Sequence, residues 1–364
     1  MDARRCSRGV SRLLAAVLMA SLALSAGLAP GLGINRAIAQ ATCPGGYPSD
    51  SLELMAPAAP GGGWDTTARE IQTVLQSGVI DQNVEVVNVE GAGGTIGLAQ
   101  LVSDNSGDPN TLMVMGLVMI GAIATNQAEV TLDNVTPIAR LTGEYEVIVV
   151  PGDSKYQTLA DLIADLQADP GSVSWAGGSA GGTDHILVGL IAKDQGVDPT
   201  QINYVPYSGG GEALAAILGG QVSAGVSGLG EWQDQIISGE LRALAISGTL
   251  GGGDATPTAD MASPAATPNM DPMLTAIPTL MDQGVNVELA NWRGIVAPPD
   301  VSAEDAACII DMVTAMHDSQ AWKDTLAKYG WQDLFLTGDE YGAFLASERD
   351  RVIGILTDLG LVTQ

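Results

Sequence analysis

Leu52-Glu53-Leu54-Met55-Ala56-Pro57-Ala58-Ala59-Pro60-Gly61-Gly62-Gly63-Trp64-Asp65-Thr66 reads as a short strand, a glycine turn and the start of a helix. Leu52 to Ala56 is apolar enough for a strand. Over Trp64 to Gln76, the residues Ala68, Ile71, Val74 and Leu75 fall on one helical face. Glycine lets the backbone of such a turn approach a ligand, since no Cβ stands in the way. The helix behind it presents unbonded N–H groups and a partial positive charge to the same spot. The plan returns at Ser172 to Trp175, followed by Ala176-Gly177-Gly178-Ser179-Ala180-Gly181-Gly182-Thr183-Asp184 and a helix from Thr183 to Asp194. Two such turns can hold the two ends of a small anion. They point to a binding protein before an enzyme.

Outward from these turns the chain alternates strands and amphipathic helices, which predicts an α/β fold with two mainly parallel sheets. Val84 to Val89, Leu112 to Met115, Ile202 to Val205, Val222 to Val226, Leu241 to Ile246 and Asn291 to Ala297 are further predicted strands. Ile138 to Leu141 and Val147 to Val150 flank a crossing, with Pro151-Gly152 as its border. A chain that leaves one unit, builds another and returns makes two lobes joined by crossing strands. The expected division is a signal peptide over 1–39, a first lobe over 40–145 and 290–364, and a second lobe over 146–289. A ligand cleft between lobes, closing by a hinge, follows. Gly248 to Met273, rich in Gly, Ala, Thr, Pro and Asp, reads as a mobile low-complexity insertion.

Arg4, Arg5, Arg8 and Arg12 precede an apolar run from Leu13 to Leu28, and Ala37-Ile38-Ala39 fits a cleavage site. A secreted, periplasmic or otherwise extracytoplasmic protein is expected. The whole chain of 364 residues has 15 basic and 42 acidic residues, a net charge of −27. Without Met1 to Ala39, which holds five arginines and one acid, 10 basic residues face 41 acidic ones, for −31. That excludes nucleic acid and anionic membrane surfaces as partners. Cys43 and Cys308 remain as a possible disulfide in an oxidising compartment. His185 and His317 are far apart, so neither a metal site nor a cofactor is expected.

Gly177-Gly178-Ser179-Ala180-Gly181 also matches the Gly-x-Ser-x-Gly elbow of serine hydrolases. A secreted hydrolase using Ser179 is the alternative. Against it, Gly181-Gly182 interrupts the helix that an elbow starts at its serine. Gly91-x-Gly93-x-x-x-Gly97 misses the dinucleotide spacing by one residue, and the first turn has no lysine for a phosphate loop. The candidate ligand-binding residues are therefore Gly61, Gly62, Gly63, Trp64, Asp65 and Thr66 in the first turn. In the second they are Gly178, Ser179, Ala180, Gly181, Gly182, Thr183 and Asp184. Tyr207, Ser208 and Gly209 open a third helix. No catalytic residue is assigned. Micromolar affinity needs about 8 kcal/mol, and hydrogen bonds to a charged group give about 1.5–3 kcal/mol each. Four to six such donors suffice without an arginine.

Pro60-Gly61-Gly62-Gly63-Trp64-Asp65, Gly91-Ala92-Gly93-Gly94-Thr95-Ile96-Gly97 and Tyr207-Ser208-Gly209-Gly210-Gly211-Glu212-Ala213 together resemble the substrate-binding subunits of tripartite tricarboxylate transporters. Leu218-Gly219-Gly220-Gln221, Leu241-Arg242-Ala243-Leu244-Ala245 and Trp292-Arg293-Gly294-Ile295-Val296-Ala297-Pro298-Pro299 extend the resemblance from Leu52 to the C-terminus. It implies a two-lobed periplasmic binding protein of the Venus flytrap type; a monomer is expected. It further implies a small di- or tricarboxylate ligand held largely by loop backbones, and membrane permease subunits as partners. The Gly248 to Met273 stretch is longer than usual for the family, and the second turn is richer in glycine.

Overall fold

The computed structural model describes Cys43, residues 46–250 and residues 270–362. The expected signal segment and residues 251–269 of the low-complexity stretch lie outside these described residues.

The first parallel unit is built from β1 (Leu52–Ala56), α1 (Gly63–Val74), β2 (Val84–Asn88), α2 (Thr95–Asp104), β3 (Thr111–Gly116) and α3 (Leu117–Thr125). β1 lies between β2 and β3, parallel to both. β4 (Thr136–Pro151) then leads to α4 (Leu159–Ala168), β5 (Ser174–Gly177), α5 (Thr183–Asp194), β6 (Asn203–Pro206), α6 (Gly210–Leu218), β7 (Ala224–Gly228), α7 (Leu229–Ser238) and β8 (Leu241–Ile246). Here β5 lies between β6 and β7, again parallel to both. The chain returns through β9 (Ala290–Ala297) to α8 (Ala303–Asp318), α9 (Gln320–Tyr329), β10 (Gln332–Thr337) and α10 (Gly338–Asp358). The strand order is β2-β1-β3-β9-β4-β7-β5-β6, with β8 and β10 also paired to β4.

β4 is the joint of this two-lobed α/β fold. Its residues Thr136 to Tyr145 run antiparallel to β9, and Glu146 to Val149 run antiparallel to β7. The two short strands expected around Gly143 are thus one strand of 16 residues. Gly143 fits because the Leu334 side chain fills the space its own would take.

Hydrophobic burial accounts for the helices. Ala68, Ile71, Val74 and Leu75 are all buried, which is the face read from the sequence. β3 is buried at all six positions, as a strand covered on both faces must be. α3 was not anticipated. Met113 to Ala124 is almost continuously apolar, and such a run carries no period from which to separate strand from helix. α7 and β10 also went unread; α7 buries only Leu229, Trp232 and Ile236. Cys43 and Cys308 are joined by a disulfide that ties the segment before β1 to α8.

Candidate functional site

The loops that leave β1, β2, β5, β6 and β7 converge on one cleft of about 190 Å³. Ligands of open α/β sheets bind at these strand ends. Pro57 to Ala59 and Gly62 to Trp64 form one wall with Glu90 to Gly94. Gly178, Ser179, Gly182, Thr183, Asp184 and Ser208 to Gly210 form the other. Ser227, Gly228, Glu231, Asn291 and Arg293 close the floor, and Val118 of α3 reaches over to Gly182.

Each turn reserves an amide for its own carboxylate. Gly61 donates its N–H to Asp65 Oδ2 (2.8 Å), and Asp65 is also held by Arg69 and Asn88. Gly178 donates to Asp184 Oδ2 (2.5 Å), and Ser208 donates to Glu212 (3.1 Å). The first-turn amides of α1 (Gly63 to Asp65) and of α5 (Thr183 to His185) have no acceptor within their helices.

Of the residues proposed from the sequence, Gly62, Gly63, Trp64, Gly178, Ser179, Gly182, Thr183, Asp184, Ser208 and Gly209 line the cleft. Gly61, Asp65, Thr66, Ala180, Gly181 and Tyr207 stand behind or outside it. Asp65 faces inward to its three partners, and the Thr66 amide bonds Gly62. Ala180 is exposed, and the Gly181 amide donates to His185 Nδ1 (3.1 Å). The Tyr207 amide bonds the Gly177 carbonyl.

Ser179 stands four residues before the start of α5. Neither of the chain's two histidines hydrogen-bonds it. The His185 ring stacks on Tyr204 at 4.1 Å, and burial pushes its pKa down to about 4. The His317 ring is engaged by Asp318 and Asp333.

The floor holds what sequence reasoning missed. Arg293 of β9 is 2% exposed and donates through Nη2 to Glu144 Oε2 of β4 (2.6 Å). Glu144 Oε1 accepts the Gly230 amide (2.8 Å) at the start of α7. Arg293 Nη1 is buried without a hydrogen-bond partner, as are Thr183 Oγ1, Asn291 Oδ1 and Glu231 Oε2. Gly63 makes room for this arginine. A Cβ there would stand 2.5 Å from Arg293 Nη2 and 3.1 Å from Glu231 Oε1.

The profile of a family described as Tripartite tricarboxylate transporter family receptor matches residues 67–252, more than half of the chain. The chain belongs to this family. The receptor is similar to Protein BugT of Bordetella pertussis, with 28% identity over 323 residues, covering 86% of this chain and 90% of that protein. Its fold is shared with MatC of Rhodopseudomonas palustris, solved with malate bound, at 22% identity and a TM-score of 0.69. That match covers 85% of this chain and 100% of the other. An adipate-bound protein of R. palustris matches at 22% identity and a TM-score of 0.73, covering 86% and 99%.

The receptor's floor is acidic. Glu144, Glu146, Asp184 and Glu231 surround the single Arg293. Burial raises the pKa of Asp184 to about 6, against the pull of the Gly178 amide and Arg293. Burial, then Glu144, raises Glu231 to about 8, although Arg293 and Ser227 oppose this. Glu146, wholly buried beside Asp184 and Glu144, is pushed well above the ordinary carboxylate range. Burial works against the charge on Arg293, but Glu144 and Glu231 hold its pKa above the usual value. One signal of this cluster was present in the sequence. Arg293 interrupts an otherwise largely apolar predicted strand, where charged residues are rare unless paired, whereas Glu144 and Glu146 fall between the two strands expected over Ile138 to Leu141 and Val147 to Val150.

Proposed function

We propose that this receptor captures a small organic carboxylate in the cleft and delivers it to the permease subunits of a tripartite tricarboxylate transporter. It does so in the periplasm, as a monomer and without chemical change of the ligand. The observation that carries this reading is the unpartnered Nη1 of Arg293, buried in a cleft onto which the N-termini of α1 and α5 open. A carboxylate at that point gains a charge-assisted hydrogen bond and the positive ends of helices. The malate- and adipate-bound proteins of the same fold support the ligand class. In this reading residues 40–145 with 290–364 close on residues 146–289 by bending at β4. The ligand's contacts are the amides of Gly63 and Trp64, Ser179, Gly182 and Thr183 of the second turn, Ser208 and Gly209, and Arg293.

A thermal-shift screen with di- and tricarboxylates tests this. A ligand at 100 times its dissociation constant stabilises by about 2.7 kcal/mol. At least one carboxylate is expected to raise Tm. A screen in which none does, with uncharged analogues of the same size equally inert, rejects the proposal.

A further inference from the structure

α3 carries two opposite stripes of residues. Val118, Gly121, Ala122 and Thr125 recur at helical spacing and lean on the glycine turns. Gly121 lies so close to the Gly181 carbonyl that a side chain there has no room, Val118 packs beside Gly182, and Thr125 fills the space beside Gly181. Ile120, Ile123 and Ala124 point the other way, into a cavity of about 360 Å³, larger than the cleft. Leu132, ahead of β4, and Leu345 and Ile353 of α10 continue its aliphatic wall. Its size suits a small molecule. Among the described residues that line it, none is aromatic and none leaves a buried polar atom without a partner.

The mouth of the cavity sets the head group. Arg349 stands there, but it is engaged: its Nη1 donates to both oxygens of Asp133 (3.0 and 2.9 Å) and its Nε to Asp350 (3.2 Å). One cation between two acids, on a chain of net charge −27, gives a carboxylate head no advantage. A hydroxyl fits, since it can donate to Asp133 and leave the ion pair intact. We infer that this cavity is a second binding site, for an uncharged aliphatic molecule with a hydroxyl head, whose occupancy steadies the second glycine turn through α3.

The route is one helix thick, with the cavity on one side of α3 and Gly181-Gly182 on the other. The opposite wall reaches the same region. At the end of α10, Asp358 Oδ2 accepts from Lys193 Nζ of α5 (2.7 Å), and Leu359 fills the space left by Gly189. The cavity is formed in the arrangement that brings Gly121 against Gly181. A molecule that binds this arrangement better than one with the two parted shifts the population toward it. Resting on the carboxylate reading above, the same occupant also tightens carboxylate binding, and by linkage the carboxylate tightens the occupant equally.

Calorimetry on the purified receptor with octanol, octanoate and benzyl alcohol reads the site. Octanol is expected to bind about tenfold tighter or more than the other two. Ala346→Phe, at an exposed position on the cavity wall, should abolish that binding, and Ile353→Asn should weaken it. Hydrogen exchange reads the route: with octanol present, the amides of Gly181 to Thr183 should exchange about fivefold slower or more, the low end of measured couplings, and the slowing should vanish in Ala346→Phe. No binding of octanol, or binding that both variants leave unchanged, overturns the site. Octanoate or benzyl alcohol bound as tightly overturns the ligand class. Octanol that binds without slowing those amides overturns the coupling. Malate and adipate, titrated with and without octanol, extend the test to the cleft: whichever binds should bind about fivefold tighter with octanol present, and an unchanged affinity overturns the link. Failure of both to bind counts against the carboxylate reading, while octanol binding and exchange still decide the cavity.

Discussion

Asp65 and Asp184 stand at corresponding points of the two glycine turns. Each lies in the first turn of a helix, each is buried, and each accepts an N–H from the opening of its own turn. Their charges behave in opposite ways. Burial works against ionised Asp65, yet Arg69, the Gly61 amide and Asn88 together hold its pKa below the usual range. Asp184 has the amide but no cation in contact, and burial, with the charge of Glu144 added, raises it to about 6. A helix cap is a local device, whereas its charge state is set by whatever the fold brings alongside. The first turn is a fixed support; the second is part of a floor that can exchange protons.

The largest test removes the arginine on each side. Arg293→Ala leaves Glu144 buried and uncompensated, a loss of roughly 3–5 kcal/mol when a buried pair is broken. Arg69 is half exposed, so Arg69→Ala is expected to cost about 1 kcal/mol or less. Urea unfolding at pH 7 measures both. Equal losses would erase the distinction between support and floor.

The next test uses pH. The folded-state pKa of Asp184 exceeds its unfolded value, so folding holds its proton longer than the unfolded chain does. Its contribution is fully present below about pH 4 and is lost as pH rises toward 6, on the order of 2–3 kcal/mol. Asp184→Asn should therefore gain on wild type across that window. Asp65 has the reverse sign: its contribution is present above its unfolded pKa and is lost as pH falls through its lowered folded one. Asp65→Asn should accordingly be less stable than wild type at pH 7, with the gap closing in acid. Thermal unfolding from pH 4 to 8 gives both curves, and parallel curves would show that the two aspartates do not differ.

Smaller effects separate neighbouring glycines. Gly63→Ala drives a methyl into Arg293 and should cost about 1–3 kcal/mol, the usual range for overpacking. At Gly62 the nearest atom to a new Cβ is 3.4 Å away, so Gly62→Ala is expected to stay within about 1 kcal/mol. The smallest effect is kinetic. The whole chain carries −27, and a carboxylate must approach against that field. Stopped-flow association should quicken as salt rises from low ionic strength. A rate that falls with salt would mean that the cleft's local field, led by Arg293, outweighs the global charge.

Much of the frame was legible because it follows from repeated local rules. Leu52 to Ala56 is followed by a glycine turn and by a helix with Ala68, Ile71, Val74 and Leu75 on one face, and all four are buried. Three departures have physical causes. α3 was hidden in an apolar run with no period. The two short strands expected on either side of a crossing are one 16-residue β4, which runs unbroken through Gly143 because the Leu334 side chain fills the space there. The floor of the cleft was not assembled at all. Arg293 and Glu144 are 149 residues apart in the chain and meet only because β9 pairs with β4.

By itself the amino-acid sequence determined the alternation of strands and helices, the glycine turns at their junctions, the capping carboxylates and the strong excess of acid. These depend on neighbours within a few residues, so a linear reading reaches them. Only the tertiary structure decided which turns share a cleft, that an arginine lies at its floor, and which carboxylates there keep their protons. Burial and charge proximity act through space, and a strand pairing across 149 residues supplies both.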